Sequence, residues 1–173
     1  MHTLACNAHH NERLIRFFIQ KAYPGGLPTV EDLIRDNIIN GTQLSELAVS
    51  KTSGIQIHAV GYGQDLIDGS DVKTSTVQHC INRKKRKDGS IYECNRHQIN
   101  IRDVDNKIGT LRCIVYNPFF DRWHFFLVPK NIRGTIKHLK IAFDKRTGDP
   151  TGKYAIYQVP SWEDVCVVEN IFV

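Results

Sequence analysis

Residues 61–75 are GYGQDLIDGSDVKTS and place three aspartates and one lysine around an Asp-Gly pair. An Asp-Gly pair between β-forming residues predicts a β-hairpin. Side chains two apart share one face of a strand, so Asp71 and Lys73 point the same way. A two-residue loop would leave Asp65 on the opposite face, whereas a three-residue loop over 68–70 would pair it with Lys73. We therefore predict the longer loop, with Asp65, Asp71 and Lys73 on one side of the hairpin.

This group of side chains suits a hard divalent cation. Two carboxylates on either side of a turn can share Mg²⁺, which prefers oxygen ligands and keeps several waters. A bound metal lowers the pKa of its water and neutralises charge on a phosphoryl oxygen. A lysine beside that water can hold it, and its charge favours ionised aspartates. The pattern predicts Mg²⁺-dependent phosphate chemistry carried by Asp65, Asp71 and Lys73.

The same residues resemble the PD-(D/E)XK nuclease motif of type II restriction endonucleases. Asp65 matches the first acid and Asp71-Val72-Lys73 the (D/E)-x-K triplet, and the resemblance covers residues 61–75. It implies a Mg²⁺-dependent endonuclease that cleaves double-stranded DNA site-specifically, as a homodimer whose two-fold axis matches that of the DNA. It also implies the Val72 carbonyl as a further metal ligand and Glu46, on the preceding helix, as an additional acid.

Two alternatives limit what the triplet proves. A second Asp-x-Lys, Asp105-Asn106-Lys107, follows Asp103 and lies between two β-like runs, which favours an exposed hairpin turn. The first copy could likewise be a solvated acidic hairpin tip. The apolar residues that alternate around it and the acidic helix before it favour the catalytic interpretation for the first copy.

Basic residues are concentrated in one segment. The chain has a net charge of +5, and residues 79–102 hold seven basic and two acidic residues, which account for this excess. Such a cluster predicts contact with a phosphate backbone, although a solvated loop is the plain alternative. The residues that we expect to contact double-stranded DNA, including candidates for base contacts, are Arg83, Lys84, Lys85, Arg86, Lys87, Asn95, Arg96 and Gln98. A non-catalytic nucleic-acid-binding module that uses this segment is the competing function.

Composition favours an ordinary soluble domain. A length of 173 residues, with 41% hydrophobic and 24% charged residues, predicts one domain over 1–173. No apolar run approaches membrane-spanning length and no secretory signal is visible, so we expect no membrane contact. Five irregularly spaced cysteines fit a reduced cytoplasmic compartment better than a disulfide framework. Cys80, Cys94 and His97 are possible zinc ligands by type, but ordinary buried thiols are the favoured interpretation.

Periodicity along the chain predicts an α+β (mixed α/β) fold, with a central mixed sheet and flanking helices. The N-terminal part is helical, the middle is a mostly antiparallel run of strands, and a short basic helix and a further strand follow. The predicted helices are 11–22, 29–39, 43–49 and 132–142. The predicted strands are 55–60, 73–80, 98–104, 110–117, 122–129 and 154–159.

Overall fold

The computed structural model describes residues 2–58, 63–85, 87–101 and 106–167. The helices are α1 (His2–Ala22), α2 (Val30–Arg35), α3 (Gly41–Ser53), α4 (Lys130–Arg133) and α5 (Trp162–Val165), with a 3₁₀ turn at Ala155–Tyr157. The strands are β1 (Asp71–Thr76), β2 (Gln78–Lys85), β3 (Ile91–Asn100), β4 (Leu111–Asn117), β5 (Arg122–Val128), β6 (His138–Phe143), β7 (Pro150–Thr151) and β8 (Gln158–Val159). None of the helices in these ranges is long and apolar enough to cross a lipid bilayer.

The strands form two sheets of four. The first has the order β1-β4-β5-β8 and is mixed, because β1 runs parallel to β4 while the other pairs are antiparallel. The second has the order β2-β3-β6-β7 and is antiparallel. The chain passes from one sheet to the other at Val77, between β1 and β2. The predicted α+β class is confirmed, but two sheets replace the single central sheet.

Strand β4 lies at the centre of the protein and shows how the layers stack. All seven of its residues are buried. Ile114 and Tyr116 pack in a core with α1, α3 and α5, whereas Cys113 and Val115 pack in a second core with the antiparallel sheet. The helices therefore cover one face of the first sheet, and the second sheet covers the other. Burial on both faces explains the continuous apolar run that the sequence shows here.

Polar side chains cap several helix starts. Thr29 and Asp32 form a capping box at α2, close to the predicted start at residue 29, and Ser161 with Asp164 forms another at α5. Helix α1 begins at His2 rather than at the predicted residue 11. Asn40 caps α3 through the backbone N–H groups of Thr42 and Gln43. The third helix is longer than predicted because it starts directly after this cap, at Gly41, and continues to the left-handed Gly54.

The predicted hairpin over 65–73 is wrong. The N–H groups of Asp65 and Leu66 both donate to the Ser70 carbonyl, which closes a compact turn rather than a ladder. The N–H of Asp71 donates instead to Thr110, next to β4. Strand β1 thus pairs in parallel with a strand about forty residues away, a partner that no local pattern reveals.

Two other elements differ from prediction. The helix expected over 132–142 is the single turn α4 followed by β6, in which Leu139, Ile141 and Phe143 are buried at a period of two. The strand expected over 154–159 is mostly the 3₁₀ turn, with two strand residues after it. Before the first sheet, the residues expected to form a strand over 55–60 make one isolated bridge, Ile57 to Leu66, and residues 59–62 lie outside the described ranges.

Candidate active site

Four titratable side chains meet at the start of β1. Lys73 Nζ lies 2.6 Å from Asp71 Oδ2. Asp65 Oδ2 accepts a 2.7 Å hydrogen bond from the N–H of Val72. The Asp65 carboxylate lies close enough to Glu46 and Asp71 to raise the pKa of both carboxyl groups. The structure therefore brings together all four side chains that the sequence singled out, by a turn and a strand edge rather than by a hairpin.

The turn before β1 is built from its own polar side chains. Asp68 Oδ1 accepts hydrogen bonds from the N–H and hydroxyl of Ser70, at 2.9 and 2.6 Å. Gly69 has φ +83°, a left-handed conformation that favours glycine. Its carbonyl accepts a 2.7 Å hydrogen bond from Gly109, where an added Cβ would lie only 3.1 Å from that oxygen. This close approach fixes the turn against the chain that enters β4, and Asp71 follows directly.

The open edge of β1 explains how Asp65 reaches the site. Since Asp71 donates its N–H toward β4, the next residue, Val72, turns its N–H away from the sheet, where Asp65 accepts it. The N–H and carbonyl of one strand residue point to the same side, so the Val72 carbonyl also faces this edge. The predicted set of metal-facing oxygens, from Asp65, Asp71 and Val72, thus borders one edge of the first sheet.

Asp71 is the most buried of the four groups. It is 1% exposed, and neither carboxylate oxygen accepts a well-aligned hydrogen bond from a residue in the described ranges. Burial, with the neighbouring Asp65, raises the pKa of Asp71 to about 8, although Lys73 opposes this. A carboxylate buried beside a second acid is costly even with Lys73 as its partner, and a bound proton or metal cation would reduce that cost.

The pKa values of Glu46 and Lys73 are also shifted by the cluster. Burial and the Asp65 carboxylate raise the pKa of Glu46 to about 7. Burial lowers the pKa of Lys73, but the carboxylates of Asp71, Asp65 and Glu46 outweigh it and the net shift is upward. Lys73 is therefore cationic at neutral pH, while Glu46 and Asp71 both retain a substantial protonated fraction.

The pH dependence of stability should report this cluster. Because the pKa of Asp71 is raised to about 8, folding retains a proton that the unfolded chain has released, and stability is lost as pH rises toward that value. We expect the metal-free protein to lose about 2 kcal/mol, or roughly 4–8 °C in Tm, between pH 6.5 and 8.5. His124, whose pKa burial lowers to about 4, titrates below this window. Calorimetry at fixed ionic strength measures the loss, and Mg²⁺ should reduce it; a Tm independent of pH and Mg²⁺ would contradict the cluster.

The oxygen atoms at this site are of the type that Mg²⁺ prefers, but they are not arranged as a complete coordination sphere. The two carboxylate oxygens of Asp71 and the Val72 carbonyl oxygen are hard donors of the type that Mg²⁺ prefers. Within the described ranges, no three His, Cys, Asp or Glu side chains are arranged around one point as metal ligands. Lys73 contacts Asp71 directly, so Mg²⁺ binding at Asp71 requires a local shift of the lysine or the carboxylate.

Sequence analysis missed the role of Arg112. It lies in β4, is 1% exposed, and donates from Nε to Ser70 Oγ at 3.0 Å and from Nη2 to Asp68 Oδ2 at 3.1 Å. Its Nη1 donates to the carbonyls of Val165 and Val167. This guanidinium therefore joins the turn before β1 to the segment around α5. The available signal was a single charged residue within an apolar run.

The basic segment lies mainly on β2 and the turn that follows it. Arg83, Lys84 and Lys85 are strand residues, Lys87 is exposed in the turn, and Arg86 lies outside the described residues. Along β3, Gln98 is exposed and Arg96 is partly exposed. Asn95 is 6% exposed and lies 3.0 Å from His79 Nδ1, so its expected contact with a base needs correction.

The remaining candidates fall partly outside the described structure. Asp103 and Asp105 of the second Asp-x-Lys lie outside the described residues. Asn106 has φ +53° and is exposed, as a turn residue would be. The backbones of Cys80 and Cys94 pair directly across β2 and β3, but the side chains of both cysteines and of His97 lie outside the described part.

Neither a protein-family model nor a curated protein sequence matches the chain.

Proposed function

We propose that this protein is a Mg²⁺-dependent endonuclease that cleaves phosphodiester bonds of double-stranded DNA, site-specifically in the manner of type II restriction endonucleases. The observation that carries the proposal is the convergence of Glu46, Asp65, Asp71 and Lys73 at the start of β1. Buried carboxylates with raised pKa values beside a lysine are typical of sites for metal and proton chemistry.

Each residue has a role that its surroundings support. The carboxylates of Asp65 and Asp71, with the Val72 carbonyl, would hold the metal at the open edge of β1. When bound, Mg²⁺ supplies charge neutralisation at the phosphate and a more acidic water. Lys73 stays protonated because three carboxylates raise its pKa, so it orients the attacking water and the phosphate as a cation. Glu46, with a pKa of about 7, has the proton affinity suited to accept the proton of that water.

The charge of the basic segment supports DNA as the substrate, and the small size of the chain supports a homodimer. The basic residues from Arg83 to Lys87, with Arg96 and Gln98, offer sequence-independent phosphate contacts and candidates for base contacts. One small site cuts one strand, so cleavage of both strands at a palindrome favours a homodimer with matching two-fold symmetry. The chain has reduced cysteines at Cys113 and Cys166, which accords with a cytoplasmic protein that meets DNA.

A non-catalytic nucleic-acid-binding module is the second candidate. The charge of the basic segment favours it independently of the acidic cluster. In that case Asp65 and Asp71 would serve the fold alone, and binding would not need a metal.

A cleavage assay separates these functions. Phage and plasmid DNA are incubated with the protein in Mg²⁺ and in EDTA, with the Asp71→Ala variant in parallel. We expect discrete fragments that require Mg²⁺ and disappear with the variant. Fragments of equal yield from Asp71→Ala would exclude the assigned site, and DNA binding with no cleavage by the wild type would support the module.

A further inference from the structure

Part of the β2–β3 pair extends past the end of the neighbouring strand β6. Strand β6 pairs with β3 only from Asn95 to Asn100. On its other side β3 pairs with β2, which is the edge of the sheet. Residues 80–82 and 85 therefore pair only with residues 91–94 among the described strands. We call residues 80–85 and 87–94 the ribbon arm.

The ribbon arm has a net positive charge. It holds Arg83, Lys84, Lys85 and Lys87 against Asp88 and Glu93, and the sequence has a fifth basic residue, Arg86, within this run. The pairing jumps from Asn82–Tyr92 to Lys85–Ile91, so the backbones of Arg83 and Lys84 have no residues opposite them. Asp88 accepts hydrogen bonds from the N–H and hydroxyl of Ser90, and Gly89 has φ +83°, which closes the described part of the tip.

A polyanion would stabilise an arm of this kind. A two-stranded ribbon without a third strand is marginal in water on its own. Five cations in consecutive positions repel one another, and this repulsion weakens the arm further in the free protein. Phosphate groups along its length would remove the repulsion and release counterions.

We propose that the ribbon arm enters the major groove of B-form duplex DNA and forms the main DNA-binding surface of the protein. This inference rests on the proposed function for its substrate. The major groove is about 12 Å wide and admits a two-stranded ribbon. Basic side chains along such a ribbon can reach phosphates on both walls and the O6 and N7 atoms of guanine.

The features of the arm favour duplex DNA over other polyanions. The major groove of A-form RNA is deep and narrow, which excludes a ribbon. Single strands are held by several aromatic platforms, and the arm contains one aromatic residue, Tyr92. Anionic membranes attract basic segments without a groove, so lipid vesicles serve as a competing target in the test.

The arm and the acidic cluster belong to different sheets. Asp71 and Lys73 lie on β1 of the first sheet, whereas the arm consists of β2 and β3 residues of the second. DNA binding by the arm is therefore separable from chemistry at Asp71, which makes the two claims testable one at a time.

The test compares two triple variants of equal charge change. Arg83→Gln, Lys84→Gln and Lys85→Gln remove charge from the arm. The control changes three exposed lysines outside it, Lys137, Lys140 and Lys153, to glutamine. Anisotropy with a labelled 30-bp DNA duplex in EDTA measures binding over a range of salt concentrations. Circular dichroism and thermal melting establish that both variants are folded.

We expect the arm variant to bind duplex DNA about 30-fold more weakly than wild type near 0.1 M salt, with a salt slope smaller by about 2–3 units. The control should lose less than about threefold. Methylation of guanine N7 should interfere with wild-type binding, because N7 lies in the major groove. Equal binding by the arm variant and the control would overturn the proposal, as would tighter binding to an RNA duplex, single-stranded DNA or phosphatidylserine vesicles.

Cleavage by the same variants distinguishes this inference from the proposed function. Loss of duplex binding in the arm variant, with no cleavage by the wild type in Mg²⁺, supports the arm and rejects the nuclease. Cleavage that persists together with unchanged binding in the arm variant supports the nuclease and rejects the arm.

Discussion

Asp71→Asn is expected to reduce Mg²⁺-dependent DNA cleavage by at least about a thousandfold while raising the Tm of the metal-free protein at pH 8.5 by about 5 °C. A thousandfold loss corresponds to about 4 kcal/mol of transition-state stabilisation. It follows from the removal of a charged ligand from the metal and of the partner that holds Lys73 at 2.6 Å. A plasmid cleavage time course and calorimetry of the same samples measure the two effects.

The gain in stability has a separate cause. At pH 8.5 the wild-type protein must ionise a carboxyl that is 1% exposed and whose pKa is about 8. Asparagine has nearly the same shape but carries no charge, so the cost of ionising a buried carboxyl disappears. The difference in Tm between the two proteins should shrink as pH falls below 8, and it should become small only near pH 3.8, the ordinary pKa of an aspartate in the unfolded chain. An increase in stability that accompanies a loss of activity is a mark of a functional residue.

Asp68→Asn is the matched control, from the same turn. The new amide oxygen can still accept the N–H of Ser70, but the charge that faces Arg112 is gone. The pKa of Asp68 is lowered by Ser70 and Arg112 in spite of burial, so its ionised form stabilises the fold above its ordinary pKa. We expect Asp68→Asn to lose about 1–2 kcal/mol, or roughly 3–6 °C, and to retain most cleavage. If the two variants changed activity and Tm in the same direction, the division between catalytic and structural aspartates would be wrong.

The elements that sequence analysis predicted best are those fixed by neighbouring residues. The predicted helix start at Thr29 depends on a capping box with the residue three positions on, and this capping box is present. Strands β4 and β5 agree with prediction to within a residue, because β-forming residues run through both. The turn at Asp68-Gly69 was also predicted, since an aspartate that bonds two residues ahead and a glycine at positive φ are local features.

The elements that sequence analysis missed depend on partners far along the chain. The convergence of Asp65 and Asp71 was expected from a hairpin, yet the pairing partner of β1 is β4. The expected basic helix became β6 because alternating burial between two sheets outweighed its helical spacing. Nothing near Arg112 in the sequence indicates Asp68 or Val165 as its neighbours, since these contacts span 44 and 53 residues. Side chains can thus come together as predicted although the backbone elements that carry them differ from the prediction.

Arg112→Met should be the most destabilising of the substitutions discussed, with a loss of about 3–5 kcal/mol and a fall in Tm of roughly 10 °C. Methionine fills much of the same volume but leaves Asp68 without its cation and two carbonyls of the segment around α5 without donors. Buried groups that lose a partner are far more costly than exposed ones. Thermal and urea unfolding of the metal-free protein at pH 7 measure the loss.

Arg122→Met is the matched control, because Arg122 also pairs with an aspartate but is 42% exposed. An exposed ion pair contributes about 1 kcal/mol or less, so we expect a fall in Tm of at most a few degrees. Arg112→Lys should lie between the two, since one ammonium cannot replace a guanidinium that bonds to four residues. Cleavage by Arg112→Met, assayed well below its Tm, should fall by about a hundredfold, because the turn that positions Asp71 is no longer fixed. Equal melting of the Arg112→Met and Arg122→Met proteins would show that the buried guanidinium does not hold this turn in place.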